Sequence, residues 1–444
     1  MVVIVAWITY FALGLFSIKY LFPHINQGNK FFVNSYLFAS VFMFLFHFYA
    51  VYGLKISYSP HAIGAFAPDG AFYHEAGIIR SANLTNPTII SYGSWTIAWQ
   101  YVVAINYRIF GVNSLFPKIF NVFCFSIAAI AFMNIAFILS RNKSTAKRAY
   151  WMFTFYIPLL HYNGTMLRET FMTILMIMIV YFFSMLKENT SIKWHALLIM
   201  ASLILFLTRA EYLIIVGSLV LINYIVGLKI RLSRKILYAT VFVMVVGAFL
   251  SLPFVRETQI MSTITGEDGG RTRYVKSSRS DAVVVSGGYL EYVKVILSSP
   301  LSYVKAIISG TIGFFLSPLP NKFLQRQNYE NMGTYFFGSL YNVFFYLLLP
   351  AIFFGVYFKW RLGRFGSLDF VIIFTIGFVI LAISMNLRDP LRYRTPVFPF
   401  LLLYASHGIS LFKHWEKYIG LIIVIMCAGV LFFTMFFDVK SLVS

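Results

Sequence analysis

Residues 194–228 read WHALLIMASLILFLTRAEYLIIVGSLVLINYIVGL. These 35 residues are apolar almost throughout, and Arg209 and Glu211 interrupt them near the middle. One helical crossing of a bilayer needs about 20 apolar residues. The stretch therefore fits two short helices, 195–208 and 212–228, meeting at a turn sunk below one membrane surface. Ionisable groups at that depth are costly, which points to a function for the pair. A structural Arg–Glu pair holding the hairpin is the competing reading.

The rest of the chain has the same character. Of its 444 residues 59% are hydrophobic, 19% aromatic and only 11% charged. An ordinary soluble enzyme is about 45–50% apolar, so that class is excluded. Apolar runs of membrane-crossing length recur from end to end, and the fold class expected is an all-α polytopic membrane bundle, one domain over 1–444. About twelve spans are predicted: 3–22, 31–53, 116–140, 149–161, 168–186, 195–208, 212–228, 236–254, 334–358, 368–386, 395–412 and 418–436. Residues 2–18 lack a basic leader and a small-residue cleavage site, so they are expected to be the first span. Cys124 and Cys427 sit inside apolar runs as core residues, with no disulfide or metal framework implied.

The chain carries 36 Lys and Arg against 15 Asp and Glu, a net charge of +21. Such an excess can serve nucleic acid, but no motif interleaving basic and aromatic residues occurs, and no nucleic-acid partner is expected. Membrane sidedness accounts for it better. The loops 23–30, 141–148, 187–194, 229–235, 359–364 and 413–417 hold 16 Lys and Arg. The alternate short loops and tail, 162–168, 209–211, 387–394 and 437–444, hold 6. The positive-inside rule makes the first set cytoplasmic and both termini external.

Two long segments share the outer side. The first, 54–115, contains APDGAFYHEAGIIRSAN (67–83) and the apolar 93–115, broken by Asn106 and Arg108 and suited to a helix lying in the interface. The second, 255–333, contains GEDGGRTRYVKSSRSD (266–281), which reads as a mobile loop. An amphipathic run then follows and ends at SPLP. There is no internal repeat, so the inverted symmetry of many transporters is not expected.

Charge collects on this same side. Asp69 precedes an apparent helix 70–82 and is suited to cap it; an outward carboxylate there is also suited to act as a general base. Positions 69, 73, 76 and 80 share a helical face, aligning Asp69 with Tyr73 and Arg80. Glu75 falls on another face, and His74 reads as a hydrogen-bonded interfacial residue. HYNGTMLRETF (161–171) supplies His161, Arg168 and Glu169. Glu169 is favoured by the dipole of the helix it begins, whereas Arg168 is at the wrong end of that helix. The span before them is short, so this loop is expected to dip into the bilayer. MNLRDPLRYRTPVFPF (385–400) crowds Arg388, Arg392 and Arg394 into a short outer loop with Asp389 as its one acid. The planar arginine fork suits phosphate; interfacial snorkelling is the alternative. Together the segments suggest an outward-facing cavity with cations for a phosphate and one or two carboxylates for proton chemistry.

PDGAFYHEAGIIRSAN, then YGSWTIAWQYVVAINYRIFGVNSLFPKIFNVF, resembles the first outer loop and following span of GT-C-type polytopic glycosyltransferases. In that family an acid-bearing helix precedes an interfacial helix ending in FG and a span with an early Arg or Lys and Asn. LRETF, TRAEYLIIV, FFLSPLP and RYRTPVFPFLLLYASHGI are similar, in the same order, to later signatures of bacterial members. The resemblance covers roughly 65–410. It implies transfer of a sugar from a polyprenyl-phosphate or polyprenyl-diphosphate carrier to a glycan or lipid-linked glycan acceptor, usually with inversion. The first-loop carboxylate of the family matches Asp69, with Glu169 as a second acid. Arg168, Arg209, Arg388, Arg392 and Arg394 are then candidates for the departing phosphate, and Tyr73, Arg80, His161 and Glu211 for lining the site. The resemblance implies the bacterial cytoplasmic membrane, with the site facing the exterior and O-antigen or capsule assembly as the context. Two spans precede the acidic loop instead of one, and its motif is DG instead of paired acids. No cofactor is indicated, a divalent cation being compatible but unsupported. A repeat-unit polymerase is a close variant, and a flippase for lipid-linked sugars the alternative of another class.

Overall fold

The structure, a computed structural model, describes residues 1–22, 25, 27–49, 68–84, 97–188, 191–227, 273–276, 282–285, 332–385 and 395–411. Apart from one small hairpin, the regular elements among them are helical. They are α1 (Val2–Leu21), α2 (Gly28–Phe48), α3 (Pro68–Ala82), α4 (Ile97–Phe110), α5 (Leu115–Ser140), α6 (Lys143–Thr154) and α7 (Ile157–Asn163). There follow α8 (Glu169–Glu188), α9 (Ile192–Gly227), α10 (Met332–Arg361), α11 (Ser367–Met385) and α12 (Phe398–Leu411). Among the described residues, six helices have the length and apolarity to cross a membrane: Val2–Leu21, Gly28–Phe48, Leu115–Ser140, Glu169–Glu188, Ile192–Arg209 and Phe344–Arg361. The protein is thus membrane-embedded. The predicted spans 236–254 and 418–436 lie outside the described residues.

The predicted span 149–161 is not one helix. Helix α6 stops at Thr154 and α7 starts again at Ile157, with Pro158 in its first turn. Proline lacks an N–H and its ring clashes with the carbonyl four residues back, here that of Thr154. Within 255–333, Arg273–Lys276 pairs antiparallel with Ala282–Val285, so part of the predicted mobile loop is strand.

Local chemistry sets the other boundaries. Asn142 caps α6, its Oδ1 accepting from the backbone N–H of Ser144 at 2.8 Å and of Thr145 at 3.3 Å. Gly111, at φ +91, terminates α4, its N–H donating to the Tyr107 carbonyl at 2.9 Å.

The helices alternate in direction. At one end of the bundle the C-termini of α1, α5 and α8 meet the start of α9. There Arg141 pairs with Glu188 at 3.2 Å, Lys193 Nζ donates to the Tyr20 carbonyl at 2.7 Å, and Tyr181 Oη donates to the Leu21 carbonyl at 3.0 Å. Helix α8 is buried from Glu169 to Leu186 and forms the centre with α5. A helix apolar on every side belongs there.

Lipid tails are as apolar as leucine, so close backbone approach does what burial does in water. Helices α10 and α12 touch through Gly355 and Gly408. A Cβ on Gly355 would lie 2.1 Å from the Tyr404 carbonyl oxygen, and one on Gly408 1.9 Å from that of Ala351. The turn from α10 to α11 is held by a buried pair, Lys359 Nζ to Asp369 Oδ1 at 2.5 Å. The second carboxylate oxygen accepts from the Gly366 N–H at 2.9 Å, and Tyr404 Oη donates to Oδ1 at 3.1 Å.

Candidate functional site

At the other end of the bundle lie those singled-out residues whose side chains the structure describes: Tyr73, Arg80, His161, Arg168, Glu169 and Arg209. Helix α3 begins at Pro68, so Asp69 is a first-turn residue and not the cap residue before the helix. Proline suits that entry position, and an acid in the first turn complements the helix dipole. The side chain of Asp69 lies outside the described residues. Tyr73, Ala76, Gly77 and Arg80 are buried against α4, while Glu75, Ile78 and Ile79 are exposed. The approach is close because Gly77 has no Cβ; one would fall 2.3 Å from Val103 Cγ1.

Arg80 is turned into the protein. Its Nε donates to Gln100 Oε1 at 3.0 Å, and its guanidinium lies 4.8 Å from the Tyr101 ring centroid. It clamps α3 to α4. His74, half-buried and next to Tyr73 in the chain, has Nδ1 2.5 Å from Tyr107 Oη, which lies 3.8 Å from Met166 Sδ. Trp99, fully buried, donates from Nε1 to the Met166 carbonyl at 2.9 Å. Helix α4 thus carries α3 on one side and the 164–168 turn on the other. Burial, with the nearby positive charge of Lys118 second, pushes the His74 pKa below the usual histidine value.

That turn belongs to the segment 161–171, buried at every position. His161 packs edge-on against Phe46 of α2 with ring centroids 4.9 Å apart. Gly164 lets Phe46 approach, since a Cβ there would fall 2.4 Å from the ring. Glu169 is fully buried in the first turn of α8, where its charge faces the positive end of the helix dipole.

Arg168 has a partner that the sequence does not reveal. Within α9, Arg209 adopts extended backbone, φ −167 and ψ 100, and interrupts the helix. The carbonyls of the last turn before such a break lose their partners four residues on. Arg168 Nη1 donates to one of them, that of Thr208, at 3.3 Å. A guanidinium is favoured at a helix C-terminus. It stands at the wrong end of α8 and at the right end of the first half of α9.

The sequence reading passed over Lys118 and His47. Lys118 is fully buried in the first turn of α5, and its Nζ lies 2.9 Å from His47 Nδ1, near the end of α2. A lysine inside an apolar span is itself a functional signal; the histidine was legible only as part of span 31–53.

The structure therefore links His74 through Tyr107 to Met166 in the turn before Arg168, and Arg168 to the backbone break at Arg209, while Arg80 is held to α4 and His161 to α2. The side chain of Glu211 and all of Arg388, Arg392 and Arg394 lie outside the described residues. The chain is described again from Thr395, whose carbonyl accepts from Tyr156 Oη at 3.3 Å at the α6–α7 break. Among the described residues there is no group of three or more His, Cys, Asp or Glu able to hold a metal ion. No family model matches the sequence, and no curated protein matches it.

Proposed function

We propose that the protein is an integral-membrane glycosyltransferase of the GT-C kind, a bundle of about twelve spans. It transfers a sugar from a polyprenyl-(di)phosphate carrier to a glycan acceptor on the outer face of a bacterial cytoplasmic membrane, in the assembly of a surface polysaccharide. The observation that carries this reading is the position of Lys118. A buried lysine lies beside the helix bearing Asp69, at the end of the bundle that also holds Arg168, Glu169 and Arg209. A departing phosphate needs cations, and an attacking hydroxyl needs a base.

In the reaction, Asp69 takes the proton of an acceptor hydroxyl as its oxygen bonds to the anomeric carbon. The bond from that carbon to the phosphate oxygen breaks on the opposite face, which inverts the configuration. The polyprenyl phosphate leaves with its charge held by Lys118 and by Arg209, Arg388, Arg392 and Arg394. Arg168 contributes by fixing the end of the helix that presents Arg209.

The test is sugar transfer from polyprenyl-linked donors by the purified full chain in nanodiscs. Asp69→Asn is expected to abolish transfer while membrane insertion stays intact. Full activity in that variant would remove Asp69 as the base. Wild-type protein that moves the lipid-linked sugar across the bilayer, without forming a glycosidic product, would make the chain a flippase.

A further inference from the structure

The same end of the bundle holds neutral polar side chains that phosphate binding and proton transfer leave unused. Asn121 of α5 and Asn163 at the end of α7 are fully buried. Neither amide nitrogen nor either carbonyl oxygen has a hydrogen-bond partner among the described residues. Thr170, in the first turn of α8, is fully buried with its hydroxyl also unpartnered there. Helices α5, α7 and α8 contact one another pairwise, and all three residues lie at the ends of those helices that carry Lys118, His161 and Glu169.

Orientation is set by spacing. Asn121 lies one turn from Lys118 and one turn before Phe125, on the stripe that continues to Phe132. The rings of Phe125 and Phe132 stack on Phe153 of α6, with centroids 5.1 and 5.0 Å away. Asn121 is therefore on the α6–α7 side of α5, where α7 ends at Asn163. Each buried polar group left unsatisfied costs about 1–3 kcal/mol, and within a bilayer no bulk water relieves it. Leucine or valine would pack these positions without that cost.

We propose that Asn121, Asn163 and Thr170 form a subsite for the hydroxyls of a saccharide, the sugar ring of the donor, seated inside the bundle next to the Lys118 end. This rests on the glycosyltransferase reading and adds the part of the substrate that these residues recognise. The chemistry favours a sugar over the phosphate. A phosphate oxygen only accepts, whereas an amide both donates and accepts, as a sugar hydroxyl does. A site built to hydrogen-bond hydroxyls also rejects ligands that lack them.

The experiment uses the full chain in nanodiscs with two kinds of probe. The first is polyprenyl phosphate, bare or carrying glucose, galactose, mannose or N-acetylglucosamine. Wild-type protein is expected to bind at least one sugar-bearing lipid tenfold or more tighter than the bare lipid. Asn163→Leu and the near-isosteric Thr170→Val should each reduce that advantage at least fivefold and leave bare-lipid affinity unchanged. An advantage retained in both variants overturns the subsite.

The second probe is the free monosaccharide at 10 mM in a thermal-shift measurement, about the concentration at which a millimolar binder saturates. At least one sugar should raise the wild-type Tm and leave that of Thr170→Val unmoved. Wild-type protein stabilised by none of the four overturns the subsite, whatever the lipid result. Protein that responds to a free sugar but binds no polyprenyl phosphate keeps the subsite and ends the proposed function instead.

Discussion

Lys118 Nζ and His47 Nδ1 lie 2.9 Å apart, joining the first turn of α5 to the end of α2 with both side chains buried. The contact holds a lysine at the end of the bundle that carries α3. Lys118→Met is expected to weaken binding of bare polyprenyl phosphate tenfold or more, and His47→Leu by less. In a double-mutant cycle read by thermal unfolding, the pair should couple by about 0.5–3 kcal/mol. Additive single-variant effects would show that the contact contributes nothing.

Arg168 is expected to behave as a cap of the broken helix. Arg168→Gln should lower stability by about 1.5–3 kcal/mol, the range for a hydrogen bond to a charged group. Arg168→Lys should recover part of the loss, because an ammonium still reaches a carbonyl. Thermal unfolding in detergent measures both. A glutamine variant of unchanged Tm that has lost polyprenyl phosphate binding would move Arg168 from positioning to direct contact.

The close approach of α10 and α12 gives a sharper steric prediction. Gly355→Ala places a methyl group against the Tyr404 carbonyl and is expected to cost about 1–3 kcal/mol, the usual range for overpacking. Gly377 in α11, where a Cβ would meet nothing within 4 Å, is the control. Gly377→Ala should be neutral or slightly stabilising, since alanine is the better helix former. Equal Tm changes in the two variants would contradict the packing.

Asp369→Asn should be among the most damaging single changes in the described residues. It leaves Lys359 buried without its counter-charge, a loss of about 3–5 kcal/mol. The double variant Asp369→Asn with Lys359→Met is expected to recover much of that, because the orphaned charge is gone. Limited proteolysis and thermal unfolding report it, and a double variant no better than the single one would argue against an ion-pair origin.

His74 predicts a pH dependence. Its folded-state pKa is depressed, by burial first and by Lys118 second, below the usual 6.5. The unfolded chain therefore takes up a proton before the folded one does. Stability present above pH 6.5 is lost progressively as pH falls from there toward the lower folded value. His74→Gln should flatten that part of the Tm–pH curve between pH 7 and 5. A slope unchanged by the substitution would show that the ring titrates as if exposed.

Much of the bundle was legible because a bilayer enforces a long one-dimensional signal. Spans 3–22, 116–140, 168–186 and 334–358 correspond closely to α1, α5, α8 and α10. The face of α3 was legible too, since 3.6-residue periodicity alone groups Tyr73, Ala76 and Arg80. The break at Phe155–Tyr156 was missed because apolarity was weighed above the geometry that Pro158 imposes. The partner of Arg168 was illegible for a deeper reason, since it is a carbonyl forty positions away, created by a break in another helix.

By itself, then, the sequence determined that the chain lives in a membrane and that Tyr73, Ala76 and Arg80 share one face of a helix. Those properties depend on composition and local period. Tertiary structure alone decided that Lys118 meets His47, that Arg168 closes the first half of α9, and that Asn121, Asn163 and Thr170 of α5, α7 and α8 are buried without partners among the described residues. Each depends on which helix ends pack together, and side chains far apart in sequence meet only after that packing is made.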